Sequence, residues 1–127
     1  MQGDVVEQVL LFLERYAQAL SAQGIEKTRI VLDPGIGFGK TVAQNFALLA
    51  RQQALLALGY PLLVGWSRKS SLAGMGSTAN APLGPDERLV PSVAAALVAV
   101  ERGARVVRVH DVAATAQAMK VWAAAYH

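Results

Sequence analysis

The chain has 127 residues, 54% of them hydrophobic and 17% charged, which describes one globular domain or part of one and excludes a disordered polymer. Its net charge of +3 is spread over scattered cations with one adjacent pair, Arg68-Lys69, so there is no basic stripe for a nucleic acid, while an anionic small ligand suits the charge. No cysteine is present, the longest apolar run is residues 93–100, and Met1-Gln2-Gly3-Asp4 lacks a signal-peptide pattern; disulfides, thiolate metal sites and a membrane span are excluded, and a cytoplasmic setting is expected.

Val6, Val9, Leu10, Leu13, Ala17 and Leu20 fall on one face of a helix predicted over residues 5–23. Asp4 with Glu7 offers a capping box, and Gly24 a C′ glycine. A strand is predicted over 28–32, followed by a glycine-rich turn from Asp33 to Lys40. A second helix spans about 43–58, with Gly59 after it and Pro61 barring its continuation. Residues 62–66 read as the second strand and 67–85 as a long loop, a length that is functional or mobile inside a compact domain. The third helix runs to Arg102 with Pro91 in its first turn; Gly103 ends it, 105–109 form the third strand and 112–125 the last helix. No linker interrupts these βα units, which call for a parallel sheet with right-handed crossovers. The strands are apolar on both faces and need cover on both. Eight strands in about 250 residues close a (β/α)8 barrel, so residues 1–127 read as one partial domain.

Charged groups recur where strands run out. Asp33-Pro34-Gly35-Ile36-Gly37-Phe38-Gly39-Lys40 follows Ile30-Val31-Leu32; Ser67-Arg68-Lys69-Ser70 follows Leu62-Leu63-Val64; Arg108-Val109-His110-Asp111 follows Val106-Val107. In a parallel sheet these share the edge where α/β proteins build ligand sites. The glycine turn is not a Walker A loop, because Pro34 stands where its first glycine belongs, and its G-x-G-x-G spacing is not G-x-G-x-x-G. Taken singly, each residue has a structural reading: Asp33 capping the turn, Phe38 anchoring a loop, Arg68-Lys69 as a solvated pair, His110 and Asp111 at the entry of the last helix.

In this order, L-D-P-G-x-G-F-G-K, G-x-S-R-K-S and E-R-L…S-x-A-A-A…G-A-x-x-V-R-V-H-D-V resemble the C-terminal half of the dihydropteroate synthases, from Asp4 to the end of the chain. The resemblance implies an α/β fold of parallel βα repeats, the C-terminal half of a TIM (β/α)8 barrel. It implies a transferase of folate biosynthesis that condenses 6-hydroxymethyl-7,8-dihydropterin diphosphate with para-aminobenzoate, the sulfonamide-competed substrate. By the resemblance Asp33 holds the amino-pyrimidine edge of the pterin, and Gly37 lets a planar ligand approach. Lys69 donates to the pterin carbonyl side, Ser70 meets the aminobenzoate carboxylate, and Phe38 lies against its ring. Arg108 and His110 bind the diphosphate, Arg108 also stacking on the pterin. Lys69, Arg108 and His110 are therefore the candidate catalytic residues.

The same resemblance brings Mg2+, whose asparagine ligand belongs to the family's first half and has no counterpart in this chain. Met1-Gln2-Gly3 resembles the end of a preceding strand. Two alternatives stand beside the enzyme: a catalytically silent, self-associating half-barrel, and a pterin-binding methyltransferase domain. The helix over 92–102 is apolar on every side, and Trp122 with Tyr126 forms a large-ring patch. A homodimer or a complementing N-terminal half is expected to cover them.

Overall fold

The computed structural model of the chain describes residues 3–76 and 81–126. Residues 77–80 of the predicted 67–85 loop, and Met1-Gln2 of the amino-terminal reading, lie outside the described residues.

Helix α1, Val5–Ala22, begins where the Asp4 carboxylate accepts the free amides of Val6 (2.9 Å) and Glu7 (3.4 Å). Val6, Val9, Leu13 and Ala17 are buried at i, i+3, i+4 spacing. The reciprocal capping box forms on α2, Val42–Ala50, between Thr41 and Gln44. The single helix expected over 43–58 is broken, and a short α3, Gln53–Leu56, follows. At the break Arg51 leaves to grip both Asp4 oxygens at 3.0 and 2.9 Å. The buried Gln52 amide donates to the carbonyls of Ala99 (2.9 Å) and Arg102 (3.2 Å). Those carbonyls lie at the C-terminal end of α4, Leu89–Glu101, and at its cap residue, where the last helical carbonyls have no partner within the helix; that of Ala99 also accepts the Ala104 N–H at 2.9 Å.

Strand β1, Leu63–Val64, pairs in parallel with β2, Val106–Val107, in the register Leu63↔Val106 and Val64↔Val107. Leu32 adds an isolated parallel bridge to Leu62, so three segments run side by side in the expected direction. They are shorter than predicted. Lys27–Arg29 closes a 3-10 turn through Arg29 N–H to the Glu26 carbonyl (2.9 Å) and Ile30 N–H to the Lys27 carbonyl (3.2 Å). Those amides are spent locally, and the 28–32 strand shrinks to the bridge at Leu32.

Partners in a parallel register share a face while chain neighbours alternate. Leu32, Leu62 and Val64 lie 5%, 0% and 1% exposed beneath the helices. Val31 and Val106, on the other face with Leu63, are 51% and 45% exposed. The face expected to be covered is therefore open in this chain. On α4, Ala95, Ala96 and Ala99 are buried and Pro91 sits in the first turn, but Val90 is 75% exposed. Helix α5, Val112–Tyr126, packs on α4, where Trp122 Nε1 and the Tyr126 hydroxyl both donate to the Glu101 carboxylate. No helix among the described residues is long and apolar enough to cross a membrane.

Two measurements test this packing. Leu62→Ala should lower unfolding free energy in urea by about 2–5 kcal/mol, whereas Val106→Ala on the open face, measured at a concentration low enough for the chain to be monomeric, should cost about 0.5 kcal/mol or less. Equal losses would mean the open face is covered. The second test uses Glu101, whose carboxyl is held below its ordinary value by the hydrogen bonds from Tyr126 and then Trp122. The folded chain thus binds its proton less readily than the unfolded chain, so this stabilisation is present above the unfolded carboxyl pKa of ~4.3 and lost as pH falls below it. Melting temperature should drop less between pH ~6 and ~3 in Glu101→Gln than in the parent; an identical drop would remove Glu101 from the acid response.

Candidate functional site

Because Leu32, β1 and β2 run parallel, the residues that follow them emerge at one edge: Asp33 after the bridge, Ser67 to Ser70 after β1, Arg108 to His110 after β2. The backbone amide of Arg108 donates to the Val64 carbonyl at 3.0 Å, extending the pairing right up to the site.

The glycine turn is built by its own polar groups. Asp33 Oδ1 accepts the Gly35 N–H at 2.8 Å, the turn-capping role read from sequence, and the second oxygen stays available on an exposed side chain. Lys40 folds back so that Nζ donates to the carbonyls of Gly35 (2.8 Å) and Phe38 (3.0 Å). It staples the loop rather than serving as a phosphate lysine. Gly37 has φ +87°, and its Cα faces the Lys69 stem, where an added Cβ would lie 3.1 Å from Lys69 Cδ. Close approach and positive φ both call for glycine.

Lys69 reaches across from the second loop. Its Nζ donates to the Ile36 carbonyl and stands 5.1 Å from the centroid of the Phe38 ring, itself 73% exposed. Burial pushes the Lys69 ammonium below the ordinary lysine range; Asp33 opposes this, and Arg108 and Lys40 add to it. The same point in space beside Gly65, where a Cβ would sit, is 3.8 Å from Lys69 Nζ and 3.6 Å from Arg108 Cβ. Lys69 and Arg108 thus converge beside Gly65 at the end of β1. Ser70, exposed, opens the 3-10 turn Ser70–Met75 beside them.

His110 is held differently. Its backbone N–H donates to Ser67 Oγ at 3.0 Å, and its ring Nδ1 lies 2.8 Å from the same oxygen. The Ser67 hydroxyl has one proton and two lone pairs, so it either donates to Nδ1, which leaves the proton of a neutral ring on Nε2, or accepts from Nδ1–H as well as from the amide. Arg68 is not the solvated residue that its sequence context suggested. Its backbone is left-handed at φ +57°, held by Arg68 N–H to Ser92 Oγ (2.8 Å) and Arg88 Nη1 to the Arg68 carbonyl (2.8 Å). Its guanidinium pairs with Asp111 at 2.9 Å, and that hydrogen bond holds the Asp111 carboxyl below its usual range. The Asp111 carboxylate thus serves the second loop.

Asp33, Gly37, Phe38, Lys69 and Arg108 are in this way gathered at one edge, with Ser70 adjoining and His110 tied in through Ser67. Asp33, Pro34, Gly35 and Phe38 also border a cleft of about 280 Å³ against Val9 and Leu13 of α1. Another cleft of about 290 Å³, lined by Leu56, Tyr60 and Arg105, lies at the opposite ends of the strands. Among the described residues no group of three or more His, Asp or Glu side chains is placed to hold a metal ion. Gly65 and Ser67 stand in the G-x-S-R-K-S stretch without a role read from it, and Asn45 and Ser71 escape a sequence reading; the one signal for Asn45 was a polar residue on the buried face of the second helix.

The family described as pterin binding enzyme matches residues 1–110. The dihydropteroate synthase of Haemophilus influenzae is 43% identical over 121 residues, covering 95% of this chain and 42% of the relative; that of Neisseria meningitidis serogroup B is 49% identical over 124 residues, with the same shares. Among solved structures, Xanthomonas albilineans dihydropteroate synthase in complex with 7,8-dihydropteroate superposes with a TM-score of 0.92 at 45% identity, covering 99% of this chain and 47% of that one. The Thermus thermophilus enzyme in complex with 4-aminobenzoate gives 0.90 at 43% identity, covering 100% and 49%. This chain thus spans less than half the length of the relatives it matches, and its fold is part of their barrel. By sequence, by fold and by the edge on which its polar groups gather, the chain belongs to the pterin-binding enzyme family.

Proposed function

We propose that this chain carries half of a dihydropteroate synthase site, condensing 6-hydroxymethyl-7,8-dihydropterin diphosphate with para-aminobenzoate to give dihydropteroate and pyrophosphate. The observation that carries this reading is the meeting of Asp33, Lys69 and Arg108 at one strand edge. Support comes from the relatives whose structures hold 7,8-dihydropteroate and 4-aminobenzoate.

In this reading the outer Asp33 oxygen accepts from the amino-pyrimidine edge of the pterin, and Lys69 donates to its carbonyl side with the N–H groups left after Ile36. Gly37 leaves room for the ring, Phe38 meets the aminobenzoate ring, and Ser70 its carboxylate. Arg108 and His110 receive the diphosphate, Arg108 stacking its planar fork on the pterin. The carbon–oxygen bond breaks with its electron pair leaving on the diphosphate. The neutral arylamine nitrogen forms the new carbon–nitrogen bond and releases a proton. Stabilising the departing charge and holding the two substrates in line are then the main tasks, and they ask for fixed cations rather than a strong base. No step here runs through Mg2+. The setting proposed is cytoplasmic.

With an N-terminal half from a relative supplied, pyrophosphate release should be measurable, and Arg108→Ala should reduce it ~10²–10³-fold without loss of fold. Unchanged release would remove Arg108 from the mechanism. Pterin bound without turnover would favour the silent half-barrel instead. The isolated chain should bind pterin at best in the high-micromolar range by calorimetry, as roughly expected when half of a pocket is lacking, and para-aminobenzoate not detectably.

The reading also asks for cover over the open face and over exposed Phe12, Tyr16 and Val90, 55%, 59% and 75% exposed. A second copy or a complementing half supplies it. Light scattering at micromolar concentration should give a mass well above 13.4 kDa; a stable folded monomer of that mass would overturn this.

A further inference from the structure

One peptide group of the glycine turn is gripped at both ends. The Ile36 carbonyl accepts from Lys69 Nζ, and the N–H of the same peptide, on Gly37, donates to Asn45 Oδ1 at 3.0 Å. Asn45 Nδ2 donates in turn to Ser71 Oγ at 2.9 Å, two residues beyond Lys69. The contacts close a ring through the glycine turn, helix α2 and the second loop. The amide orientation is settled by chemistry: a backbone N–H can only donate, so the oxygen of Asn45 faces Gly37 and its nitrogen is left for Ser71.

Asn45 is 1% exposed and Ser71 4%, so water does not compete for either bond. An asparagine on the buried face of α2, beside Leu48 and Leu49, is unfavourable unless both ends of its amide are satisfied. The peptide it holds is one that glycine would leave free to rotate, since Gly37 at φ +87° can also adopt negative φ. Rotation would carry the Ile36 carbonyl away from Lys69 and aim an N–H at the ammonium.

We propose that Asn45 is the positioning residue of this site: by holding the Ile36–Gly37 peptide it sets where the Lys69 ammonium stands against Asp33, Arg108 and Lys40. The consequence for a pterin rests on the functional reading above; the placement of the ammonium does not.

The test is made by NMR on this chain. Asn45→Leu has similar size and neither hydrogen bond; Asn45→Asp keeps an acceptor for Gly37 and can accept a hydrogen bond from the Ser71 hydroxyl. The Gly37 amide should exchange roughly tenfold faster in Asn45→Leu, as for one lost hydrogen bond, and return near the parent rate in Asn45→Asp. The Lys69 Cε titration should move up toward the ordinary lysine range in Asn45→Leu as the ammonium gains water. Unchanged Gly37 exchange and unchanged Lys69 titration in folded Asn45→Leu would overturn the proposal. Should that variant fail to fold, Ser71→Ala, which cuts only the outer bond, must move both readouts in the same direction or the proposal falls. Pterin is titrated into the same samples: shifts at Lys69 and Gly37 that weaken in Asn45→Leu support both readings. A pterin that shifts nothing in the parent counts against the functional reading, while the exchange and titration data still decide the role of Asn45.

Discussion

Parallel pairing obliges every strand to finish at the same edge, and the chemistry of this chain depends on that. The pairing is short: one bridge at Leu32 and two residues each in β1 and β2. It nevertheless sets the direction of three loops at once, because Leu32, Leu62 and Val64 are locked face-down in the core at 5%, 0% and 1% exposure. A slip of one residue would turn those side chains to the open face and bring Val31 and Leu63 inward. The buried row therefore fixes the register, and the register decides that Asp33, Lys69 and Arg108 emerge together.

Bringing Lys69, Arg108 and Lys40 near one another is electrostatically unfavourable, and the surrounding bonds show how it is offset. Lys40 spends its ammonium on two carbonyls of its own turn. Lys69 has the Ile36 carbonyl and the Phe38 ring face, and the Asp33 carboxylate favours its charged form. Burial and the two cationic neighbours outweigh that attraction and weaken the hold of Lys69 on its proton. An anionic or carbonyl-bearing ligand would reverse that penalty. A site with stored cationic repulsion is poised for an anion in a way that an evenly paired surface is not.

Much of this architecture was legible in local chemistry. Asp4 caps α1 as its position before an amphipathic run requires, Pro91 lies in the first turn of α4, and the residues at three strand ends do gather. Reading failed where a residue's partner is remote in sequence. Residues 28–32 have strand-like composition, yet Lys27–Arg29 turns because Glu26 and Lys27 accept its amides locally. The 43–58 helix breaks because Arg51 is drawn to Asp4, 47 positions away, and Gln52 to Ala99, also 47 away. Arg68 looked like a spare cation since nothing near it in sequence demands a left-handed backbone; Ser92, Arg88 and Asp111 do. Asn45 and Ser71 gave no motif at all, being ordinary polar residues whose significance lies in facing one another across 26 positions.

The long-range bonds of Asn45, Ser67 and Arg68 share one property: they join the three site loops to each other and to helices within this chain. Asn45 links the glycine turn to the second loop, Ser67 links the second loop to His110, and Arg68 does so again through Asp111. Exposed apolar surface lies on the far face of the strands and on the outer sides of α1 and α4, and it reaches the site itself, where Phe38 is exposed and Phe12 borders the same cleft as Asp33. Cover added over Val31, Val106 or Phe12 would deepen and dry the cleft without re-forming the hydrogen bonds that set the cations. Preorganisation of this edge is set by hydrogen bonds and an ion pair within the chain itself.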